Sequence, residues 1–152
     1  MLSRVIRFVR LPLLLLVLFA IGRFSLGVAG VPYAPRGTAI FSLVVLSIIS
    51  CIYFGALSGK VGGFNWGGTI LVGVVIGFFA QVLIFVATFV SYLGNFSSSY
   101  FIHWDALNVP EGTTVPMGRA LSLRAGALIA GPLTTAVAAL IGRCLSALAP
   151  GK

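Results

Sequence analysis

The chain has 152 residues, 59% of them apolar and only 8% charged, against roughly 25% charged in an ordinary soluble domain. Ten Lys and Arg with two Asp and Glu are too few to cover a soluble fold of this size, and the apolar content excludes a disordered chain. The net charge of +8 sits at the ends of apolar runs, as in membrane proteins. No basic stripe with interleaved aromatics marks a nucleic-acid surface.

Residues 1–10, MLSRVIRFVR, place Arg4, Arg7 and Arg10 at three-residue intervals among apolar side chains. They form a short basic amphipathic lead-in, expected to lie on an anionic cytoplasmic leaflet. The first apolar run covers about 11–31, with Pro12 near its start and Arg23 within it. Its basic start, apolar core and small residues Gly27 and Ala29 also resemble a secretory signal cleaved after Ala29. Arg23 lies where such a signal carries neutral residues, so an uncleaved anchor is the preferred reading.

Pro32, Pro35 and Gly37 punctuate a short link. The second run, about 38–57, is uncharged and carries Ser42, Ser47, Ser50 and Cys51. A glycine-rich turn with Lys60, Asn65 and Trp66 leads to the third run, about 69–93, with Gln81 near its middle. Residues 95–119 make one long loop. It holds both acids, Asp105 and Glu111, the single His103, and the aromatics Phe96, Tyr100, Phe101 and Trp104. A short interfacial helix is expected over about 98–107. The fourth run, about 120–140, is rich in Ala, Gly and Thr, and Pro132 is expected to kink it.

A spanning helix needs roughly 20 residues to cross about 30 Å of hydrocarbon. Four runs therefore predict an all-α integral membrane bundle of four transmembrane helices, one domain over 1–152. Arg4, Arg7, Arg10, Lys60, Arg143 and Lys152 fall on the side of the termini, and Arg36, Arg119 and Arg124 on the other. The positive-inside rule then puts both termini in the cytoplasm and the 95–119 loop outside, with a bacterial inner membrane as the expected location.

Helices in lipid associate through small residues and interhelical hydrogen bonds. Nineteen glycines exceed the usual share near 7%. Gly55 with Gly59, Gly73 with Gly77, Gly126 with Ala130 and Ala127 with Gly131 recur at four-residue spacing. These pairs read chiefly as packing within the chain and secondly as a homo-oligomer face. Gln81 should find Ser47, Ser50, Thr134 or Thr135 on a neighbouring helix, because hydrocarbon offers its amide no partner. Arg23 is expected to snorkel to the interface; the alternatives are pairing with Asp105 or Glu111, or holding an anionic headgroup.

One histidine with Asp105 and Glu111 lacks the spacing of a zinc site. Cys51 and Cys144 form no C-x-x-C motif. Ser97–Ser99 near His103 lack any nucleophile signature. No P-loop or dinucleotide fingerprint occurs, so no catalytic residue, cofactor or metal is assigned. The favoured class is a non-enzymatic membrane component that packs against lipid, itself or a partner subunit, with the aromatic loop as its contact surface. The alternative is a small oligomeric channel or carrier, and a membrane enzyme comes third. Arg23, Gln81, His103, Asp105 and Glu111 are the candidate functional polar residues.

Overall fold

The computed structural model describes residues 1–33 and 41–148. Arg36, the start of the second run at Thr38, and the terminal Lys152 lie outside the described residues. Among the described residues the fold is all-helical: α1 (Leu2–Phe8), α2 (Arg10–Val28), α3 (Leu43–Lys60), α4 (Trp66–Leu93) and α5 (Met117–Leu148). The last four are long and apolar enough to cross a membrane. At 1.5 Å per residue, the 28 residues of α4 reach about 42 Å, so its ends extend beyond the hydrocarbon or it tilts.

The break between α1 and α2 has a local cause. Pro12 has no N–H to return to the Phe8 carbonyl, and its ring crowds that carbonyl. Val9 relaxes to φ −98°, ψ 13°, yet Val9 N still donates to Val5 O at 2.9 Å and Leu13 N to Val9 O at 3.2 Å. The lead-in therefore runs almost directly into the first span. Its apolar face is used by the bundle: Val5 and Val9 are fully buried, and the Phe8 ring meets Phe54 and Phe64 edge-on.

Side-chain caps start the next two helices. The Ser42 hydroxyl accepts from Val45 N, and the Asn65 amide oxygen accepts from Gly68 N at 2.8 Å. Between them the chain reverses at Gly63, whose φ of +60° suits glycine. Phe64 N then donates to Ser58 O at 2.9 Å.

Helix α5 packs on α4 and α3, burying chiefly residues between Pro132 and Gly142, and α2 packs more sparingly on α4 and α3. Absent side chains make the α5 contacts close. A Cβ on Gly55 would run into the Ala139 backbone, one on Gly73 into Thr135 O and Ala136, one on Gly77 into Thr135, and one on Gly142 into the Ile52 carbonyl. The centre of the bundle is thus closed by backbone against backbone. Gly59 faces only the Arg143 side chain, at 3.4 Å. The Gly126–Ala130 pair departs from the expected role within the chain. Both residues are exposed, and a Cβ on Gly126 would meet nothing within 4 Å. Four-residue spacing marks one helix face but does not say whether that face meets a neighbour.

Helix α5 continues through Pro132 without interruption. Thr135 Oγ1 donates to the Gly131 and Pro132 carbonyls at 3.0 and 3.1 Å.

Arg4 near the N-terminus and Arg143 near the end of α5 both reach the turn between α3 and α4. Arg4 donates to Gly62 O at 2.8 Å. Arg143 of α5 donates to Phe64 O at 2.8 Å and to Thr69 Oγ1 at 2.5 Å, and its guanidinium lies 4.6 Å from the Trp66 ring centre. Thr69 shares a 2.7 Å hydrogen bond with Ser58. Ser58 and Thr69 are both fully buried, so one polar chain ties α3, α4 and α5 together at this terminal end. The 95–116 segment lies at the opposite end.

Candidate functional site at the loop end

The loop between α4 and α5 is folded into the bundle. The expected helix over 98–107 is replaced by a series of turns. In a helix Asp105 N would donate to Phe101 O. Here Asp105 N donates to His103 Nδ1 at 3.3 Å, and the Phe101 carbonyl instead accepts from Thr88 Oγ1 at 3.5 Å and Arg124 Nη2 at 3.1 Å. Tertiary donors have taken the acceptor that a helix would need. Phe101 sits 2% exposed among the helices, and Tyr100 is 6% exposed. Two rings of the aromatic cluster, Tyr100 and Phe101, therefore point inward, while Phe96 and Trp104 are half-buried.

Further bonds hold the loop down. Ser91 and Ser99 share a 2.6 Å hydrogen bond, and the Tyr92 hydroxyl donates to Val115 O at 2.5 Å. The Tyr100 hydroxyl reaches Val31 O at 2.8 Å, and the Gly27 backbone leaves no room for a Cβ beside Tyr100 N. The loop is thereby clamped to the end of α2.

Arg23 is the centre of this arrangement. It is only 8% exposed. Its Nη2 donates to the Tyr33 hydroxyl at 3.1 Å, and its guanidinium lies 5.4, 5.6 and 5.7 Å from the ring centres of Tyr33, Tyr100 and Phe101. The guanidinium is thus held in a cage of aromatic faces, each attracting the cation electrostatically. Tyr33 in turn stacks on His103, centroids 4.1 Å apart and planes 14° apart.

Beside the cage is a cavity of about 340 Å³, lined by Arg23 of α2, Tyr33, residues 42–45 at the start of α3, Ile84, Phe101, Asp105 and Ala106 of the loop, and Arg124 of α5. Arg23 and Asp105, two of the predicted residues, therefore share one recess. His103 borders it through Tyr33. Glu111 is exposed in the distal turn and does not line the cavity. Among the described residues no three His, Cys, Asp or Glu side chains gather as metal ligands.

Gln81 lies elsewhere. Its side chain packs against Gly131, where a Cβ would come within 2.5–2.9 Å of it. Three of the four anticipated hydroxyl partners are used locally: Ser47 donates to Val44 O, Thr134 to Ala130 O and Thr135 to Gly131 O. A serine or threonine in a helix finds an acceptor one turn back without waiting for a neighbour, so Gln81 acts here as a packing side chain.

Arg124 and Tyr33 line the cavity without being among the candidate polar residues of the sequence. In the sequence Arg124 bears on orientation and on the bounds of the fourth run. An arginine two turns inside an apolar helix was itself the signal.

His103 is held below the usual histidine range, chiefly by desolvation, with Arg23 acting in the same direction and Asp105 against it. Accepting a hydrogen bond at Nδ1 also favours the neutral ring. The folded state therefore binds its proton less readily than the unfolded chain. Stability from this group is present above the ordinary histidine pKa and is lost as pH falls toward the lower folded value. We expect thermal stability in detergent to drop between about pH 7 and pH 5, and His103→Gln to flatten that drop. An unchanged slope in the variant would show that another group carries it.

Searches against family models, curated proteins and solved structures found no match to this chain.

Proposed function

We propose that this chain is a non-enzymatic component of a bacterial inner membrane, with both termini cytoplasmic, that works by holding lipid or a membrane partner against its surface. The observation that carries this reading is the distribution of polar groups in a closed bundle. Backbone contacts at Gly55, Gly73 and Gly142, with the Thr135 side chain against Gly77, fill the centre, while Arg143, Thr69 and Ser58 gather at one end and Arg23, Asp105 and Arg124 at the other. Such an interior favours a packed scaffold over a path for solute through one chain. The exposed Gly126–Ala130 face of α5 is where a second copy or partner helix would approach closely. A channel built from several copies is the second reading, and it would require Gln81 to leave its seat on Gly131.

Flux and topology measurements test this. Purified protein in liposomes should pass neither ions nor small solutes, and Gln81→Leu should change nothing. A wild-type flux that the variant abolishes would replace the packing reading with a pore. Cysteines substituted at Lys60 and Glu111 should label from opposite faces, position 60 from the cytoplasm. Labelling from the same face would overturn the threading.

A further inference from the structure

Resting on the lipid-holding part of that reading, we infer that the loop-end cavity is a binding site for the phosphodiester headgroup of an anionic phospholipid.

The first argument is charge. Helices α2 and α5 do not pack on each other, yet each contributes an arginine to the same recess. Asp105 is the one carboxylate among the described lining residues, so cations outnumber anions there. Asp105 offsets one of the two guanidiniums at most, so the recess keeps a net positive charge that a bound anion would balance, and the low dielectric near the membrane magnifies the effect.

The second argument is the supply of donors. A guanidinium carries five N–H groups. Arg23 spends one on Tyr33. Arg124 spends one on Phe101 O, and its Nε is buried with no acceptor among the described residues. The first turn of α3 also borders the cavity, adding the positive end of a helix dipole. A tetrahedral phosphate directs oxygens to several walls at once, whereas a planar carboxylate satisfies one arginine fork.

The third argument selects a lipid over a free anion. The α3 wall of the cavity is Leu43, Val44 and Val45. Val44 and Val45 are 48% and 51% exposed on the bundle surface. The recess is therefore bounded on that side by an apolar, lipid-facing helix surface, along which an acyl chain can lie while the headgroup meets the arginines.

The test is equilibrium binding of a phosphatidylglycerol with a fluorescent acyl chain to the detergent-purified full chain. Phosphatidylcholine with the same chains, soluble glycerol 3-phosphate and inorganic phosphate serve as competitors. Phosphatidylglycerol should compete well and the other three poorly. Arg124→Gln should weaken binding about tenfold, the loss expected for one charge-assisted hydrogen bond. The double substitution Arg7→Gln, Arg10→Gln, at exposed cations of the other end, should leave affinity unchanged. Should Arg124→Gln not fold, Val44→Trp offers the same test, because it fills the mouth from an exposed position and leaves both arginines in place. Equal competition by phosphatidylcholine, or equal losses in the Arg7/Arg10 variant, would overturn the site. Full competition by inorganic phosphate would overturn its assignment to lipid.

Discussion

Gly55→Leu is expected to separate α3 from α5. A Cβ at this position would lie 2.7 Å from Ala139 Cα and closer still to the Ala139 carbonyl oxygen. Neither is the far end of a side chain that can swing away. Overpacking usually costs about 1–3 kcal/mol, and a backbone obstacle belongs at or above the top of that range. Gly126→Leu provides the control, since nothing lies within 4 Å of its would-be Cβ; its effect should stay within about 0.5 kcal/mol. Unfolding both variants in mixed micelles checks the comparison. Equal losses would mean that helix propensity, not close approach, governs these glycines. If Gly126→Leu lowered the oligomer content of the sample without altering monomer stability, the exposed face of α5 would be an interface.

Phe101→Ala is the second large effect. The side chain is 2% exposed and packs beside the Phe24 ring while forming one wall of the Arg23 cage. Removing a buried phenyl ring costs about 3–5 kcal/mol. The loss should appear locally first, because the loop is held by this anchor and a small set of hydrogen bonds, whereas α4 and α5 have their own long seam. Amide exchange across 95–116 should accelerate strongly while the centres of α4 and α5 stay protected. Phe101→Leu should recover most of the protection, since it refills much of the volume. A uniform rise in exchange throughout the bundle would show that the loop and helices unfold as one unit.

The behaviour of these two residues marks where sequence reasoning stops. The existence and order of four apolar helices was legible because the cost of exposing backbone to hydrocarbon leaves the chain little alternative. Helix ends were less legible: the third run was expected from about 69 with Asn65 in the turn, whereas Asn65 caps a helix that starts at Trp66, and the fourth run continues to Leu148 rather than 140. The glycine pairs were legible as faces, and Gly55, Gly73 and Gly77 do lie against α5. Gly126 shows the same spacing and meets nothing, because periodicity describes one helix and packing is a property of two. Gln81 differs for a related reason: Ser47, Thr134 and Thr135 each had a nearer carbonyl on their own helix.

The loop is the clearest contrast. Its composition alone announced aromatic rings, two acids and a histidine, and its position between the third and fourth spans set the end of the bundle where they lie. Its conformation depended on groups far away in the chain. The Phe101 carbonyl is claimed by Thr88 and Arg124, Tyr100 is tied to Val31, and Arg23 is enclosed by rings from two separate links. Local residue preferences cannot register donors that arrive from another helix. Burial in lipid, read from composition, decided that this chain is a helical bundle; the close crossing of α5 with α3 and α4, and the descent of the loop onto α2, decided which of its few charges meet.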